Sequence, residues 1–448
     1  MSLKSRLLKG GVWALIGKML AMLSGMVVHG ALARLLTPEE YGNYLLILSL
    51  ALFLGLLGQV GLKQAVLRWV ADYSSKKQYH CINRVIAFAG KIVFIASLVL
   101  ALLWVFLIDD VVTHLFFSSL SEVDLSVVMP VWIALMAFRL VIIEIYRGLG
   151  DIFKATLFDS VFTNVVLMAA LVILMILYSS LTLAFILFLV LGVYAINFLV
   201  SAVLLPVPLS TSGQGSDSVD VDHDDKPSLM SAAMVLYVTD LSVFALAQSM
   251  IWLVGNLMGS ENVALFAAAQ KLVNLVAMPL LIVNLVIPPF ISELKATGDH
   301  ERTEKIVRGI SSLVGLPALI VLTVFVFFGD LAMTIVYGKE YASASSVLLM
   351  LSIGALANVL TGSCGKILLM YGYHNILMKI TFSSGLISVL FGVVLIQYFG
   401  ILGAAIAASL AKLIHNLLSL FYAHKYCGIW THVSVLHFMF AYKSLRRL

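Results

Sequence analysis

The sequence predicts an all-α integral membrane protein of about twelve transmembrane helices, arranged as two parallel repeats of six. Three observations carry this. Of 448 residues, 62% are hydrophobic and only 11% charged, with a mean hydropathy of +1.07, whereas soluble domains carry about 25% charged residues. Apolar runs of about 20 residues or more, the length a bilayer core requires, recur along the chain. The order and length of six such runs repeat at a shift near 222 residues.

The first set of runs falls at 11–36, 42–70, 85–108, 127–149, 153–177 and 181–205. The opening stretch "MSLKSRLLKGGVWALIGKML" resembles a secretory leader, but its apolar run is too long and contains Lys18. It reads as a retained first helix. In the turn that follows, "ARLLTPEEYGNYLL", Thr37 sits at an N-cap, Pro38 at N1 and Glu40 at N3, the spacing of a capping box. Glu39 and Glu40 also complement the positive end of the helix dipole. The second set falls at 230–258, 262–292, 306–328, 343–371, 375–398 and 402–424. Between the sets, 206–229 is polar, acidic and rich in glycine and serine, the composition of a linker. Its "DVDHDD" run suits a solvated linker better than a metal site. Three cysteines, Cys81, Cys364 and Cys427, have no paired spacing and give no disulfide or metal framework. The expected organisation is an N-terminal six-helix lobe (1–205), a linker (206–229), a C-terminal six-helix lobe (230–428) and a basic, interfacial tail (429–448).

At the 222-residue shift Glu39 falls on Glu261, Tyr44 on Phe266 and Gly150 on Gly372. Six spans per repeat bring both halves into the membrane from the same side, so the repeats are parallel. With the N-terminus in the cytoplasm, nineteen Lys and Arg residues fall in inside segments. Only Arg34 and Lys339 fall outside. The positive-inside rule therefore places both termini in the cytoplasm and the turn at 33–46 outside, with the acidic turn after helix 3 (Asp109, Asp110, Glu122, Asp124). Cys81 and Cys427 are then expected to meet cytoplasmic thiol reagents.

Seven basic residues remain inside the spans: Lys18, Lys63, Lys91, Arg139, Lys271, Lys366 and Lys412. Three acids join them: Glu144, Asp159 and Asp240. A charge at mid-helix costs about 2.5–3.5 kcal/mol on the insertion scale, so such residues face an interior. Lys63, Lys91, Glu144, Asp159 and Lys366 lie close to cytoplasmic helix ends, where Lys91 and Lys366 can snorkel. Arg147 lies one turn after Glu144 and can pair with it. Asp240, Lys271, Arg139 and Lys412 sit near the middle, where a buried structural ion pair competes with a substrate role. His29 and His415 read as satisfied interior histidines. The shift also places Lys18 over Asp240 and Glu144 over Lys366, opposed charges at symmetry-related positions.

A positive excess suits an anionic substrate. No G-x-x-x-x-G-K-[ST] loop is present, which excludes ATP hydrolysis by that route. The outside turns are too short for a catalytic domain and hold no histidine except His114, which speaks against a polymerase or ligase. A secondary transporter remains.

The stretches "ARLLTPEEYGNYLLILSL" and "GLLGQVGLKQAVLRWVADY" resemble the start of bacterial polysaccharide flippases. "VALFAAAQKLVNLVAMPLLIVNLVIPPFISEL", "IVYGKEYASASSVLLMLSIGA" and "YFGILGAAIAASL" are similar to later helices of the same proteins, the polysaccharide branch of the multidrug/oligosaccharidyl-lipid/polysaccharide exporter superfamily. The resemblance implies a V-shaped two-lobe exporter whose cavity is lined by helices 1, 2, 7 and 8. It also implies flipping of an undecaprenyl-diphosphate-linked oligosaccharide to the periplasmic leaflet of the inner membrane by alternating access, for O-antigen, capsule or exopolysaccharide. Those helices carry Lys18, Lys63, Asp240 and Lys271. The expected pyrophosphate-binding residues are Lys18, Lys63, Lys271, Arg139 and Lys412. Asp240, Glu144 and Asp159 are candidates for ion coupling or a structural pair. No enzyme activity, metal, nucleic acid or cofactor is expected beyond a proton or sodium gradient. Expected partners are the lipid-linked anionic glycan, the bilayer, and polysaccharide polymerase and chain-length proteins. The rival reading, a cation-coupled drug exporter of the same fold, needs more cavity acids than this chain offers.

Overall fold

The computed structural model describes residues 3–116, 124–206 and 226–434. The "DVDHDD" run, Glu122 and the tail beyond 434 lie outside the described residues. Among those described, almost every residue is helical. The N-terminal half forms α1 (Leu3–Leu35), α2 (Pro38–Gly58), α3 (Leu62–Ser75), α4 (Tyr79–Phe116), α5 (Leu125–Gly148), α6 (Ile152–Leu177) and α7 (Leu183–Val203). The C-terminal half forms α8 (Lys226–Met258), α9 (Ser260–Thr297), α10 (His300–Tyr337), α11 (Lys339–Thr361), α12 (Cys364–Met370) and α13 (His374–Cys427).

Ten of these are long and apolar enough to cross a membrane. Two features reconcile that number with the twelve expected runs. The 54 residues of α13 are interrupted at Gly400, with φ 57° and ψ −140°. A continuous helix of that length would run about 80 Å, far beyond a hydrocarbon core of about 30 Å. Only glycine adopts this backbone conformation without strain, so Gly400 separates two spans. α8 contains a bent pair, Tyr237–Phe244 and Ala247–Met258, at 42°. The chain is a multi-pass membrane protein.

The capping box forms as its spacing predicts. The Thr37 amide donates to Glu40 Oε2 at 3.0 Å, and the Glu40 amide to Thr37 Oγ1 at 3.3 Å. The apolar run expected as one helix over 42–70 is instead broken at Gln59–Gly61. Val60 (φ 47°) and Gly61 (φ 76°) take left-handed conformations, and Gln59 Oε1 accepts the Lys63 amide at 2.9 Å, covering one orphan donor at the start of α3. Hydropathy carries no trace of this break because it lies within a long, predominantly apolar run. The run expected over 343–371 is likewise divided, at Gly362 (φ 73°).

Packing gathers the chain into two compact units: Met1–Val28 with Ile47–Leu241, and His29–Leu46 with Ser242–Leu448. The repeat boundary at 206–229 is therefore not where packing divides the chain; the division cuts α1, α2 and α8. In the second unit, close backbone contact holds the α1–α2 hairpin. A Cβ on Gly42 would stand 1.8 Å from the Ser260 carbonyl oxygen, so only glycine lets α2 approach the start of α9 this closely. Arg34 adds a clamp, donating from Nη2 to the Ile335 carbonyl at 2.5 Å near the end of α10, where a cation complements the helix dipole.

The first unit's core joins α3, α4 and α5 through Leu62, Val66, Val70, Ala89, Val93, Ala137 and Val141. The second unit's core joins α9 to α13 through Ile287, Ile291, Cys364, Ile367, Leu368 and Ala423. Part of the expected interfacial tail belongs to this core. Ile429 and Thr431 are fully buried, Thr431 Oγ1 donates to the Thr361 carbonyl at 2.6 Å, and the Val433 amide donates to the Leu360 carbonyl at 2.9 Å. The break at Gly362 frees the backbone that receives this strap. Cys427, expected to be open to reagents, is buried beside it.

Candidate functional site

Six charged side chains of the first unit, Lys63, Arg139, Glu144, Arg147, Asp159 and Asp240, form ion pairs or hydrogen bonds within and between the helices. α3 begins directly after the break at 59–61 and presents Lys63 in its first turn. Lys63 Nζ lies 3.5 Å from Asp240 Oδ2 on α8. One turn earlier on α8, the Tyr237 hydroxyl donates to the Leu57 carbonyl at 3.3 Å, in the last turn of α2. Two contacts thus tie α8 to the interruption between α2 and α3.

Beside this pair, α5 contributes Arg139, Glu144 and Arg147, and α6 contributes Asp159. Arg147 bridges both acids, with Nη1 2.6 Å from Glu144 Oε1 and Nη2 3.6 Å from Asp159 Oδ2. Glu144 is 2% exposed, so its charge depends on that bridge. The charges of Lys63 and Asp159 also act on it. Asp159 lies in a π-helical turn, Leu157–Val161, that interrupts α6. Such a turn displaces backbone carbonyls from the helical ladder, and side chains take them up. Arg139 Nη1 donates to the Asp159 carbonyl, and Asn197 Nδ2 to the Phe158 carbonyl at 3.3 Å. The Arg139 guanidinium also lies 5.4 Å from the centre of the Tyr194 ring, a cation–π contact.

The sequence expectation of a positive excess therefore needs refinement at this site. Lys63, Arg139 and Arg147 stand with Asp240, Glu144 and Asp159, three bases among three acids. Asp240 meets Lys63, and among the described residues Lys18 is exposed and makes no ion pair. Glu144 meets Arg147 on its own helix.

The second unit holds cations of a different kind. Lys271 on α9 is half-buried, and among the described residues it has neither an ion pair nor a hydrogen bond. Lys412 on α13 is also half-buried without an acidic partner among the described residues; His415 lies one turn on. His29 is a satisfied interior histidine, its Nδ1 3.2 Å from the Tyr41 hydroxyl. His415 Nδ1 has no hydrogen-bond partner among the described residues. Sequence reasoning did not single out Tyr194, Asn197 or Tyr237. A tyrosine four positions before a phenylalanine on an apolar helix reads as core, and only the tertiary contact with Arg139 distinguishes it.

The comparison with protein families decides the family. Residues 7–295 match the model described as polysaccharide biosynthesis protein. The chain belongs to this family. The chain is 23% identical over 429 residues, 95% of its length, to a Shigella flexneri protein named "Putative O-antigen transporter", covering 99% of that protein. It is 24% identical over 180 residues to a Haloferax volcanii protein named "Probable low-salt glycan biosynthesis flippase Agl15", 40% of this chain and 38% of that protein. Among solved structures, it matches an inward-facing MATE family transporter of the MOP superfamily with a TM-score of 0.72 at 15% identity, covering 93% and 97% of the two chains. It matches the lipid II flippase MurJ, inward closed, with a TM-score of 0.65 at 12% identity, covering 96% and 90%. These likenesses give the fold.

Proposed function

We propose that this family member flips a lipid-linked oligosaccharide carried on undecaprenyl diphosphate, from the cytoplasmic to the periplasmic leaflet of a bacterial inner membrane, by alternating access. The observation that carries the reading is chemical. Lys271 is a cation within an apolar span without a protein anion among the described residues, an arrangement costly to maintain unless a transported anion uses it. A diphosphate offers oxygens that accept charge-assisted hydrogen bonds from lysine. Lys63 meets the headgroup first, and Lys271 holds it later in the cycle; Lys18, Arg139 and Lys412 are secondary candidates. The family match and the O-antigen and glycan names of the relatives support the substrate class. The nineteen-to-two distribution of basic residues supports cytoplasmic termini. Polymerase and chain-length proteins are the proposed recipients of the product, and Asp240, Glu144 and Asp159 are the groups available to a proton or sodium gradient.

The rival reading, export of cationic drugs, fits the acids poorly. Arg147 holds Glu144 and Asp159, and Lys63 holds Asp240, so each of the three already has a basic partner. The test is surface polysaccharide in a deletion strain complemented at matched protein levels. Lys271→Ala is expected to remove most export while leaving the protein folded, and Lys271→Arg to keep more. Full export by Lys63→Ala, Lys271→Ala and the double variant would overturn the anionic-headgroup mechanism.

A further inference from the structure

The Lys63–Asp240 pair differs from the Arg147–Glu144 pair in ways that bear on transport. It shares its looseness with Arg147–Asp159, at 3.6 Å, but its cation holds one carboxylate where Arg147 holds two among the described residues. Glu144 is sealed from solvent, whereas the Lys63 and Asp240 side chains are 26% and 33% exposed. Their separation of 3.5 Å exceeds the 2.7–2.9 Å typical of a charge-assisted hydrogen bond, so the contact is loose. Lys63 also sits in the first turn of α3, where the helix dipole disfavours a cation and favours an anion. Asp240 comes from a different helix, held in place one turn earlier by the bond from Tyr237 to Leu57. A loose, accessible carboxylate therefore lies against a lysine at a helix N-terminus, in the place an incoming phosphate would take.

We propose that Asp240 is a resident anion for Lys63, displaced by the phosphate groups of the substrate on loading and displacing them on release. The inference rests on the reading of this protein as a carrier of diphosphate-linked glycans, and it assigns Asp240 a role in release. Phosphate and carboxylate oxygens accept the same kind of hydrogen bond from an ammonium group, so the two anions exchange on one donor. While Asp240 holds Lys63, that fraction of the protein is not competent to receive the headgroup, and apparent affinity falls by the same fraction. A pair this exposed has a modest coupling, which sets the expected effect at about two- to five-fold in affinity. The gain is reversibility. A headgroup bound to an uncontested lysine leaves slowly, because affinity differences reside mostly in dissociation rates.

The test uses the full-length protein in nanodiscs of neutral lipid, with farnesyl diphosphate as the probe, alongside surface-glycan export in cells. Asp240→Asn is expected to tighten probe binding about two- to five-fold and yet to slow export at matched expression. Asp240→Glu, which keeps the carboxylate, is expected to tighten probe binding less than Asp240→Asn and to export more than it. Lys63→Ala is expected to weaken binding, and Lys63→Ala with Asp240→Asn to bind no better than Lys63→Ala alone, because the effect of Asp240 runs through Lys63. Asp240→Ser carries the same expectation as Asp240→Asn should the amide variant not fold. If Lys63→Ala weakens binding but neither Asp240→Asn nor Asp240→Ser tightens it, the resident-anion role is overturned and the substrate reading stands. Equal tightening in the Lys63→Ala background would also overturn it, since the carboxylate would then act as a diffuse charge. If the parent protein shows no saturable binding of the probe, the substrate reading fails and the inference fails with it.

Discussion

Removing Arg147 isolates the most deeply buried charge of the first unit among the described residues. Arg147 supplies Glu144 with a hydrogen-bonded partner at 2.6 Å, and Glu144 is 2% exposed. Breaking a buried pair by deleting one partner costs about 3–5 kcal/mol, because the remaining ion keeps its desolvation penalty. Two features reduce the figure here. The Arg147 side chain is 37% exposed, so solvent already screens the pair, and the charge of Lys63 still acts on Glu144. Arg147→Ala is therefore expected to cost about 2–3 kcal/mol, a drop of about 4–12 °C in melting temperature for a unit of this size. Arg147→Ala with Glu144→Leu removes the stranded carboxylate and should regain more than half of that loss. Trp104 and Trp132 are both fully buried in this unit, so tryptophan emission reports on it in a Trp252→Phe, Trp430→Phe background, which silences the two tryptophans of the second unit. A double variant no more stable than Arg147→Ala would refute the reasoning, as would an Arg147→Ala protein that melts within about 1 °C of the parent.

Two further expectations concern other parts of the chain. Gly42→Ala drives a methyl group toward the Ser260 carbonyl and should destabilise the protein by about 1–3 kcal/mol; an unchanged melting temperature would show that the hairpin does not depend on this contact. Half-buried Cys81 should react with a cytoplasmic thiol reagent, while Cys427 and Cys364, both buried, stay protected until unfolding. A cysteine placed at Lys339 should label from the periplasm, and labelling from the cytoplasm would reverse the orientation.

The elements best read from the sequence are those with local causes. The capping box at Thr37–Glu40 needs only residues three apart, and the apolar runs need only composition. The features that escaped are tertiary. "GQVGL" at 58–62 contains nothing polar except Gln59, so its broken helix was invisible to hydropathy, and with it the placement of Lys63 at a helix start. The π-helical turn around Asp159 lies in a run that reads as continuous helix. Its displaced carbonyls are visible only through Arg139 and Asn197, which reach them from other helices. Asp240 could be recognised as an intramembrane acid, but its partner could not. The repeat register pointed to Lys18, whereas the break in α2 brings Lys63 within reach. The tail was legible as basic, but the burial of Ile429 and Thr431 depends on the gap at Gly362.

Transbilayer movement of the substrate class is the quantity on which the functional reading turns. The purified protein, reconstituted into liposomes, would be supplied in one leaflet with a short oligosaccharide linked to a prenyl diphosphate, and its appearance in the other leaflet followed with a membrane-impermeant glycosidase. The expected result is movement that depends on the protein and is reduced by Lys63→Ala and Lys271→Ala. Protein that moves none of this lipid but transports an organic cation would contradict the reading.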